Sequence, residues 1–338
     1  MKESNKDTLP VGKLPMKLLD QLLKRIPMED PDILVGPGLG EDAAVINVGG
    51  ETIILKTDPI TFATKDLASY LVAVNSNDIA CMGGIPRYIL VDLLLPEEKT
   101  TYSIVEAIFN DIISTCKEYG ITILGGHTEI THGIDRPIAT GFMVGYSPDG
   151  RIVRTSGARP GDVLLLSKGI PIEALSILAR EKADHLDLDC TILEEARNLI
   201  KDPGISVLKE ARIAIEKGEV SAMHDPTEGG IATGLLEIAR ACGHGLEVYM
   251  DKIPIMEHTH DILGPFSMDP LGSISSGALI VCCSKESARA ILDAWQAASI
   301  TGSIIGYIRE DKRCLLHRDG KIQDLPEFPR DEIAKAFA

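Results

Sequence analysis

The segment GPGLGEDAAVI, from Gly36 to Ile46, places two adjacent acids directly before an apolar run. Its glycines and proline are typical of a turn, and residues 43–46 have the composition of a buried strand. An unpaired carboxylate is costly to bury, so Asp42 at this position needs a cation, a basic partner or hydrogen-bond donors. The segment therefore predicts a sheet whose rim carries acidic ligands.

Strands and helices alternate along all 338 residues, which predicts a mixed α/β (α+β) protein. A chain of this length exceeds one typical core, so two domains are expected. Strong turn signals at 147–150 and 158–162 place the boundary between residues 1–152 and residues 153–338. The segments assigned are helices at 14–26, 65–82 (capped by Thr64), 103–119, from 171, 191–200, 206–217, 230–242 and 286–299, with strands at 43–48, 52–57, 87–95, 121–124, 137–146, 163–167, 219–223, 246–250, 278–283, 303–308 and a hairpin at 314–324.

The composition excludes several classes of partner. A net charge of −16 with 4% aromatic residues disfavours nucleic acid, because phosphates would be repelled and bases would find few stacking platforms. A small phosphate-bearing ligand would need a divalent cation between itself and the acids. Seven cysteines without CxxC spacing, no apolar signal segment and no membrane-length apolar run predict a cytoplasmic protein without a membrane partner.

Acidic residues recur at strand ends and in glycine turns. Asp42 precedes a strand, Asp58 ends one before Pro59, and Asp225 precedes a helix with an apolar face. For any single acid, hydrogen bonding to backbone N–H groups in a turn or cap is the more frequent role. Only the recurrence of the pattern favours a shared ligand site.

The helix at 65–82 gives a stronger signal. Asp78 falls within its apolar stripe, and Asn75 is its neighbour one turn earlier on the helix surface. A buried carboxylate requires a cation, a basic partner or several donors. Contact with a ligand or metal and membership of a core hydrogen-bond network are equally compatible with this position.

Two glycine pairs are candidate anion sites. Gly125 and Gly126, in GGHTE at 125–129, leave a predicted strand and would let backbone N–H groups approach an anion, with the Thr128 hydroxyl beside them. The pattern favours a turn role for His127 over metal ligation. The pair at 229–230 opens a helix N-terminus, which also favours anions. The common nucleotide-binding and hydrolase motifs do not occur.

Seven segments together resemble the aminoimidazole ribonucleotide synthetase-like superfamily of ATP enzymes. Among its members the likeness is greatest to the hydrogenase-maturation proteins HypE, because of GGHTE (125–129) and of HDPT followed by a glycine pair (224–230). The segments are GEDAAVI (40–46), KTDPI (56–60), VNSNDIACMGG (74–84), GGHTE (125–129), GARPGD (157–162), HDPTEGGIA (224–232) and DPLGSISSGAL (269–279).

The resemblance implies a homodimer in which the first domain's sheet pairs with that of a second subunit to form a barrel, with ATP near the interface. It implies Mg²⁺ bound by Asp42, Asp58, Asp78 and Asp225, of which Asp42, Asp78 and Asp225 are the catalytic acids. The residues that the resemblance places at the nucleotide are Lys56, Asn75, Gly125, Gly126, His127 and Thr128.

The resemblance further implies a Mg²⁺-dependent enzyme that transfers the γ-phosphoryl group of ATP to an unidentified small-molecule or protein-borne acceptor. The alternatives are a non-catalytic nucleotide-binding regulatory or assembly module related to hydrogenase maturation, and a structural protein whose acids are caps and turns. The chain departs from HypE in two ways: it lacks a C-terminal cysteine, and Glu228 stands where HypE proteins usually have arginine. No motif follows Asp324, so the tail is expected to be dispensable for ATP binding.

Overall fold

The computed structural model describes residue 9, residues 12–61 and residues 65–337, which form two α/β units built around separate sheets. The first unit accounts for the position of Glu41 and Asp42, because one of its strands begins at Ala44, just after them. Its elements are α1 (Met16–Leu23), β1 (Ile33–Val35), β2 (Ala44–Val48), β3 (Glu51–Ile60), α2 (Leu67–Cys81), β4 (Ile85–Pro96), α3 (Tyr102–Glu118), β5 (Thr122–Thr131) and β6 (Ile138–Ser147).

The six strands of the first unit are arranged in the order β1-β2-β3-β6-β4-β5. Alternate residues of these strands point to one face, where α2 and α3 cover a core that includes Ile54, Ile89 and Met143. The residues between them point to the opposite face, which no described helix covers. Tyr88, Phe142 and Tyr146 remain 37–39% exposed there. The first sheet therefore has one buried face and one exposed face, and the exposed face is called the open face below.

Strand β3 does not end at Asp58, as the sequence predicted, but continues through Pro59 to Ile60. The physical reason lies in its neighbours. Strand β2 pairs with β3 only as far as Leu55, whereas β6 pairs with it as far as Ile60. The end of β3 therefore has a free edge, where the missing N–H group of a proline costs no ladder hydrogen bond.

The turn predicted at GGHTE is also wrong, because these residues lie in the middle of β5. Strand β5 pairs in parallel with β4 and forms an edge of the sheet. Gly125 and Gly126 have φ values of 145° and 147°, and the register of the two strands shifts at this point. The glycines thus accommodate a bulge within a strand and do not end it.

Helix α2 is buried along nearly its whole length. It packs on β3, β6 and α3 of the first unit and on α6 and β8 of the second. Because it contacts both units, its polar residues Asn75, Ser76, Asn77 and Asp78 are buried as well. The cap predicted at Thr64 lies outside the described residues, and the helix begins after Asp66. Helix α2 therefore places the acidic residue Asp78 at the seam between the units.

The second unit has a seven-stranded sheet in the order β13-β12-β9-β11-β7-β10-β8. Helix α7 covers one of its faces and helices α6 and α9 cover part of the other. The neighbours Cys282 and Cys283 belong to different clusters on the two faces. The elements are β7 (Val163–Ser167), α4 (Ile172–Glu181), α5 (Cys190–Asn198), α6 (Leu208–Lys217), β8 (Val220–His224), α7 (Gly230–Cys242), β9 (Leu246–Tyr249), α8 (Thr259–Leu263), β10 (Ile280–Cys283), α9 (Lys285–Ala297), β11 (Gly302–Ile308), β12 (Cys314–Arg318) and β13 (Lys321–Asp324).

The two ends of the chain differ in how they pack. Helix α1 is shorter than predicted and has no buried residue. The C-terminal segment is integrated: Phe328 packs against the core beneath α7, and Ala336 is buried. Across the described parts of the chain, no helix is both long enough and apolar enough to span a bilayer.

Candidate active site

Four predicted acids converge at the seam between the units. Asp42 lies two residues before β2, Asp58 lies in β3, Asp78 lies in the last turn of α2, and Asp225 follows β8 directly. Asp42, Asp78 and Asp225 are each at most 6% exposed. Ligand atoms of Asp42, Asp225 and the α2 residue Cys81 all lie within 4.8 Å of one another. The structure thus brings together side chains from positions 42, 78, 81 and 225.

Lys56 provides a positive charge inside this acidic cluster. Its Nζ lies 3.3 Å from Asp58 Oδ2 and 3.0 Å from Asp78 Oδ2. Burial opposes the ammonium form, but Asp78 and Asp58 outweigh it, so the pKa of Lys56 is raised. Burial also raises the pKa of Asp78 well above its usual range, although Lys56 opposes this. Lys56 therefore compensates part of the charge of the acids.

Asn75 acts on the backbone of β3. Its Oδ1 accepts a hydrogen bond from the Asp58 N–H group at 2.9 Å, and its Nδ2 donates to the Leu71 carbonyl at 2.9 Å. Gly141 of β6 approaches the same amide so closely that a Cβ there would lie 2.7 Å from Asn75 Nδ2. The amide therefore helps to position the backbone of Asp58.

Asp225 has the least satisfied carboxylate of the cluster. Its Oδ1 accepts a hydrogen bond from the Cys81 thiol at 3.5 Å, whereas its buried Oδ2 has no partner among the described residues. Burial, followed by the charge of Asp42, raises the pKa of Asp225 to about 7. Burial also raises the pKa of Cys81, which keeps it a thiol. A buried oxygen without a partner is typical of a ligand-binding position.

His224 connects Asp42 to a second acid. Its Nδ1 lies 2.6 Å from Asp42 Oδ1, and its Nε2 lies 2.9 Å from Glu237 Oε2 on α7. Burial disfavours the imidazolium, but the two carboxylates outweigh this and raise the pKa of His224 well above its usual range. The protonated ring donates to both acids and fixes the orientation of Asp42, whose other oxygen accepts from Thr155 at 3.4 Å.

The N-terminal segment also reaches the site. Lys13 Nζ lies 3.4 Å from Thr227 Oγ1 and 3.8 Å from Glu237 Oε1, with its side chain half exposed. Thr227 belongs to the turn between Asp225 and α7. A second lysine therefore stands at the mouth of the acidic site, where an anion would enter.

The donor set fits a hard divalent cation. Carboxylate oxygens are the ligands that Mg²⁺ prefers, and the unpartnered oxygen of Asp225 is a position that a cation would satisfy. The Cys81 thiol is too soft a ligand for such an ion. Lys56 competes for Asp58 and Asp78, so Asp42 and Asp225 are the acids with the least cationic compensation from lysine.

The structure does not bring residues 125–128 to these acids within one chain. Strands β6 and β4 lie between β3 and β5. With strands spaced 4.7–4.9 Å apart, the two are separated by about 14 Å. His127 points to the open face beside Asp92, and its Nε2 lies 3.3 Å from Glu129 Oε2. Any contact between this edge and the acidic cluster of the same chain is thus indirect.

We expect Gly126→Ala to destabilise the protein more than Gly125→Ala. Both positions have positive φ, which costs a residue with a Cβ about 1–2 kcal/mol. A Cβ at Gly126 would lie only 1.9 Å from the Val91 carbonyl oxygen, whereas one at Gly125 has open space. The clash should add about 1–3 kcal/mol, measured by urea unfolding. Equal losses in the two variants would show that strand β5 is displaced from β4 in solution.

The anion site predicted at the N-terminus of α7 is already occupied by the C-terminal tail. Asp331 Oδ2 accepts a hydrogen bond from the Gly229 N–H group at 2.6 Å, and Asp331 Oδ1 accepts one from Ile274 at 3.3 Å. Burial raises the pKa of Asp331 to about 6. The tail, in which no sequence motif was found, therefore anchors the helix that follows Asp225.

Sequence reasoning assigned no site role to His224, Glu237, Cys81 or Asp331. His224 and Cys81 fall within quoted segments, directly beside or one turn after a predicted acid. Glu237 had a weaker signal, as an acid on a helix that is otherwise buried along one face. Asp331 had none, because its partner Gly229 is distant in sequence.

The structure has two α/β units, one of them with an open sheet face, and buried acids and lysines lie at the seam between the units. Both units match models of one protein family. The model for the N-terminal domain of AIR synthase related proteins matches residues 40–147, and the model for their C-terminal domain matches residues 159–317. The chain belongs to the AIR synthase related family, which confirms the resemblance carried by the seven motifs.

Relatives by sequence include proteins named for hydrogenase maturation. A hydrogenase expression/formation protein of Methanocaldococcus jannaschii is 27% identical over 310 residues, covering 88% of this chain and 89% of that protein. The carbamoyl dehydratase HypE of Rhizobium leguminosarum is 27% identical over 284 residues, covering 80% and 78%. Both likenesses extend across the two units.

Solved structures show the same fold. HypE from a crystal structure of the HypE–HypF complex superposes with a TM-score of 0.73 at 21% identity, covering 86% of this chain and 94% of that one. HypE crystallised with ATP gives a TM-score of 0.72 at 23% identity, covering 88% and 92%. The predicted two-unit α/β architecture is therefore confirmed.

Proposed function

We propose that this protein is a Mg²⁺-dependent enzyme that transfers the γ-phosphoryl group of ATP to a small-molecule or protein-borne acceptor. The observation that carries the proposal is the convergence of Asp42, Asp58, Asp78 and Asp225 from both units, with a buried oxygen of Asp225 left unpartnered. The relatives support an enzyme, since one is named a carbamoyl dehydratase and a HypE of the same fold was crystallised with ATP.

In this proposal Asp42 and Asp225 hold Mg²⁺ with the help of Asp58 and Asp78, and the ion neutralises the phosphate charge. The protonated His224 keeps Asp42 in place through its 2.6 Å contact, and Asn75 fixes the backbone of Asp58. Phosphoryl transfer depends mainly on positioning and charge stabilisation, which these hydrogen bonds provide.

The two lysines supply positive charge for the phosphates. Lys56 lies within the acid cluster and Lys13 at its mouth, beside Thr227. When ATP enters, the ammonium of Lys13 needs only to leave a half-exposed contact at 3.8 Å from Glu237. Placed beside the γ-phosphate, the Lys13 ammonium would stabilise the charge that develops during transfer to the acceptor.

The alternative, a nucleotide-binding assembly module without turnover, would share the site and differ in chemistry. The HypE relative crystallised with HypF shows that proteins of this fold enter protein complexes. Steady ADP release in the presence of an acceptor separates the two functions, because a module would bind ATP without releasing ADP.

Thermal stability with ATP, with Mg²⁺ and with both tests the proposed site. A ligand at a hundredfold excess over its dissociation constant adds about 2.7 kcal/mol of stability, which gives a measurable rise in Tm. We expect a rise that requires both components, because the acids repel free ATP. An equal rise with ATP alone would contradict a metal-dependent site.

We further propose a homodimer formed through the open face and the β5 edge. Exposed aromatic residues at Tyr88, Phe142 and Tyr146 line this face. Strand β5 is an unprotected edge with Leu124 57% and Ile130 58% exposed. Nucleotide contacts by Gly125, Gly126, His127 and Thr128 would be made in this dimer, where the edge meets a second subunit.

Phe142→Asp is expected to convert the dimer to a monomer, because a carboxylate would have to be buried among aromatic side chains. Sedimentation velocity at micromolar concentration measures the change. Ile322→Asp is the matched control, since Ile322 is 64% exposed on the second sheet. A wild-type monomer that still binds Mg²⁺-ATP would rule out the dimeric site.

The division at residues 152 and 153 remains a proposal, supported by the sheets ending at Ser147 and beginning at Val163. A cytoplasmic location is likewise proposed. It is supported by all seven cysteines being free in the described structure, which suits a reducing compartment.

A further inference from the structure

A second acidic cluster lies at the seam, built from three separate segments. Glu173 is in the first turn of α4 and is 6% exposed, Glu228 precedes α7, and Asp331 comes from the C-terminal tail. The Ala174 N–H group beside Glu173 donates to the Ile274 carbonyl at 3.2 Å, and the Ile274 N–H group donates to Asp331 Oδ1 at 3.3 Å. Burial, reinforced by the charges of Asp331 and Glu228, raises the pKa of Glu173 to about 7. The three carboxylates therefore surround a common region.

Two buried polar atoms in this region have no hydrogen-bond partner among the described residues. They are Glu173 Oε2 and the hydroxyl oxygen of Tyr70, which comes from α2 of the first unit. Tyr70 is 3% exposed. Tyr70 packs in one buried cluster with Ile172, which directly precedes Glu173, and after burial the charge of Glu173 is the largest contribution to the raised pKa of Tyr70. Buried polar atoms in native proteins are nearly always hydrogen-bonded, which points to a ligand here.

The cluster also has little compensating positive charge: the charge of Glu228 helps to raise the pKa of Lys13, and that lysine belongs to the neighbouring site. Within the described ranges, none of Glu173, Glu228 and Asp331 forms an ion pair. The nearest cation on α4, Arg180, is held by Asp66 at 2.9 Å. Buried carboxylates are tolerated when paired or hydrogen-bonded, so a positively charged partner would stabilise this arrangement.

The geometry favours a nitrogen cation over a metal ion. Both oxygens of Asp331 are already engaged, Oδ2 with the Gly229 N–H group and Oδ1 with the Ile333 N–H group at 2.8 Å. Only Glu173 and Glu228 then offer free carboxylate oxygens, and Glu173 is too deeply buried for the several waters that complete the coordination of a divalent cation. An ammonium, amidinium or guanidinium group needs fewer acceptors and forms strong charge-assisted hydrogen bonds with carboxylates.

We propose that Glu173, Glu228 and Asp331, with the Tyr70 hydroxyl, form the acceptor subsite, and that it binds a group carrying a nitrogen cation. Glu173 and Tyr70 lie at its base, and the partly exposed Glu228 and Asp331 form its rim. The acceptor role rests on the proposed phosphoryl transfer, whereas binding of the cation does not. The substrate class is therefore an amine, amidine or guanidine.

Titration calorimetry of the full-length chain tests the subsite without nucleotide. Methylguanidinium and methylammonium are the probes, and acetamide is the neutral control. We expect saturable binding of the cations at least tenfold tighter than that of acetamide. Glu173→Gln, which keeps the size and removes the charge, should weaken cation binding at least tenfold. Glu181→Gln, at the exposed end of the same helix, should leave it unchanged.

Failure of the subsite and failure of the proposed function give different results. Cation binding without any Mg²⁺-ATP effect on Tm would contradict the phosphoryl-transfer function and support the subsite. Mg²⁺-ATP binding with no preference for cations over acetamide would overturn the subsite. Equal weakening by Glu173→Gln and Glu181→Gln would also overturn it, because binding would then reflect overall charge. If Glu173→Gln does not fold, Glu228→Gln on the rim provides the same comparison.

Discussion

Lys56→Met is expected to lower the free energy of unfolding by about 3–5 kcal/mol in metal-free protein. Removing one partner of a buried ion pair leaves a charge without compensation. Lys56 lies 3.0 Å from Asp78 Oδ2, and the Asp78 side chain is 8% exposed. The Asp78 oxygen forms this ion contact but no hydrogen bond that would replace it. Urea unfolding in EDTA measures the loss.

Mg²⁺ should restore part of the stability lost in Lys56→Met, because a second cation can then approach Asp58 and Asp78 without competing with the ammonium. The midpoint of urea unfolding should therefore depend more strongly on Mg²⁺ in the variant than in the wild type. Lys24→Met is the control: Lys24 pairs with Asp20 on the surface, where such pairs contribute little. A Mg²⁺ response identical in wild type and variant would place the ion away from these two acids.

Asp225→Asn is expected to reduce Mg²⁺-dependent ATP turnover by two orders of magnitude or more, while stability is maintained or increased. The substitution removes an acid whose buried Oδ2 has neither a hydrogen bond nor an ion pair among the described residues, which is the position that the metal would use. An amide in place of the carboxylate also removes the electrostatic repulsion between residue 225 and Asp42. Replacing an unsatisfied buried charge should contribute about 1–3 kcal/mol to stability at neutral pH.

The stability gain of Asp225→Asn should depend on pH in metal-free protein. The pKa of Asp225 is raised from 3.8 to about 7 in the folded state. An acid with a raised folded-state pKa destabilises the fold progressively as pH increases from its unfolded to its folded value. The difference between variant and wild type should hence be small at pH 4 and largest above pH 7.

Asp251→Asn, at an exposed position beside Lys252, controls for the loss of one negative charge. It should change neither turnover nor its metal dependence. If Asp225→Asn lowers stability and turnover together, Asp225 has a structural role, as a single acid before a helix more often does. Unchanged turnover in this variant would exclude it from the metal site.

The sequence predicted most elements because their signals are local. Strands β2, β3 and β6 follow apolar patterns that burial on one face requires. The acids Asp42, Asp78 and Asp225 were predicted because they interrupt such patterns or sit beside glycine turns. Buried Asp78 shows the value of this approach, since its partner Lys56 had been assigned to the nucleotide and not to this acid.

What the sequence could not give depends on contacts between distant segments. The extension of β3 through Pro59 depends on where β2 stops, and the position of GGHTE within β5 depends on its pairing with β4. The bond between His224 and Glu237 and the one between Asp331 and Gly229 join residues with no common sequence pattern. Single-residue propensities carry no information about such pairings.

The anchoring of α7 by Asp331 has a consequence for biosynthesis. All strands of the first sheet have been synthesised once Ser147 is made, so this sheet can form while the ribosome is still translating. The second unit is completed much later, because the N-terminus of α7 gains its carboxylate partner only when residue 331 emerges from the ribosome. A chain that stops before residue 331 would carry every motif and still lack the contact that holds the helix beside Asp225, so the site is assembled only after this segment has been made.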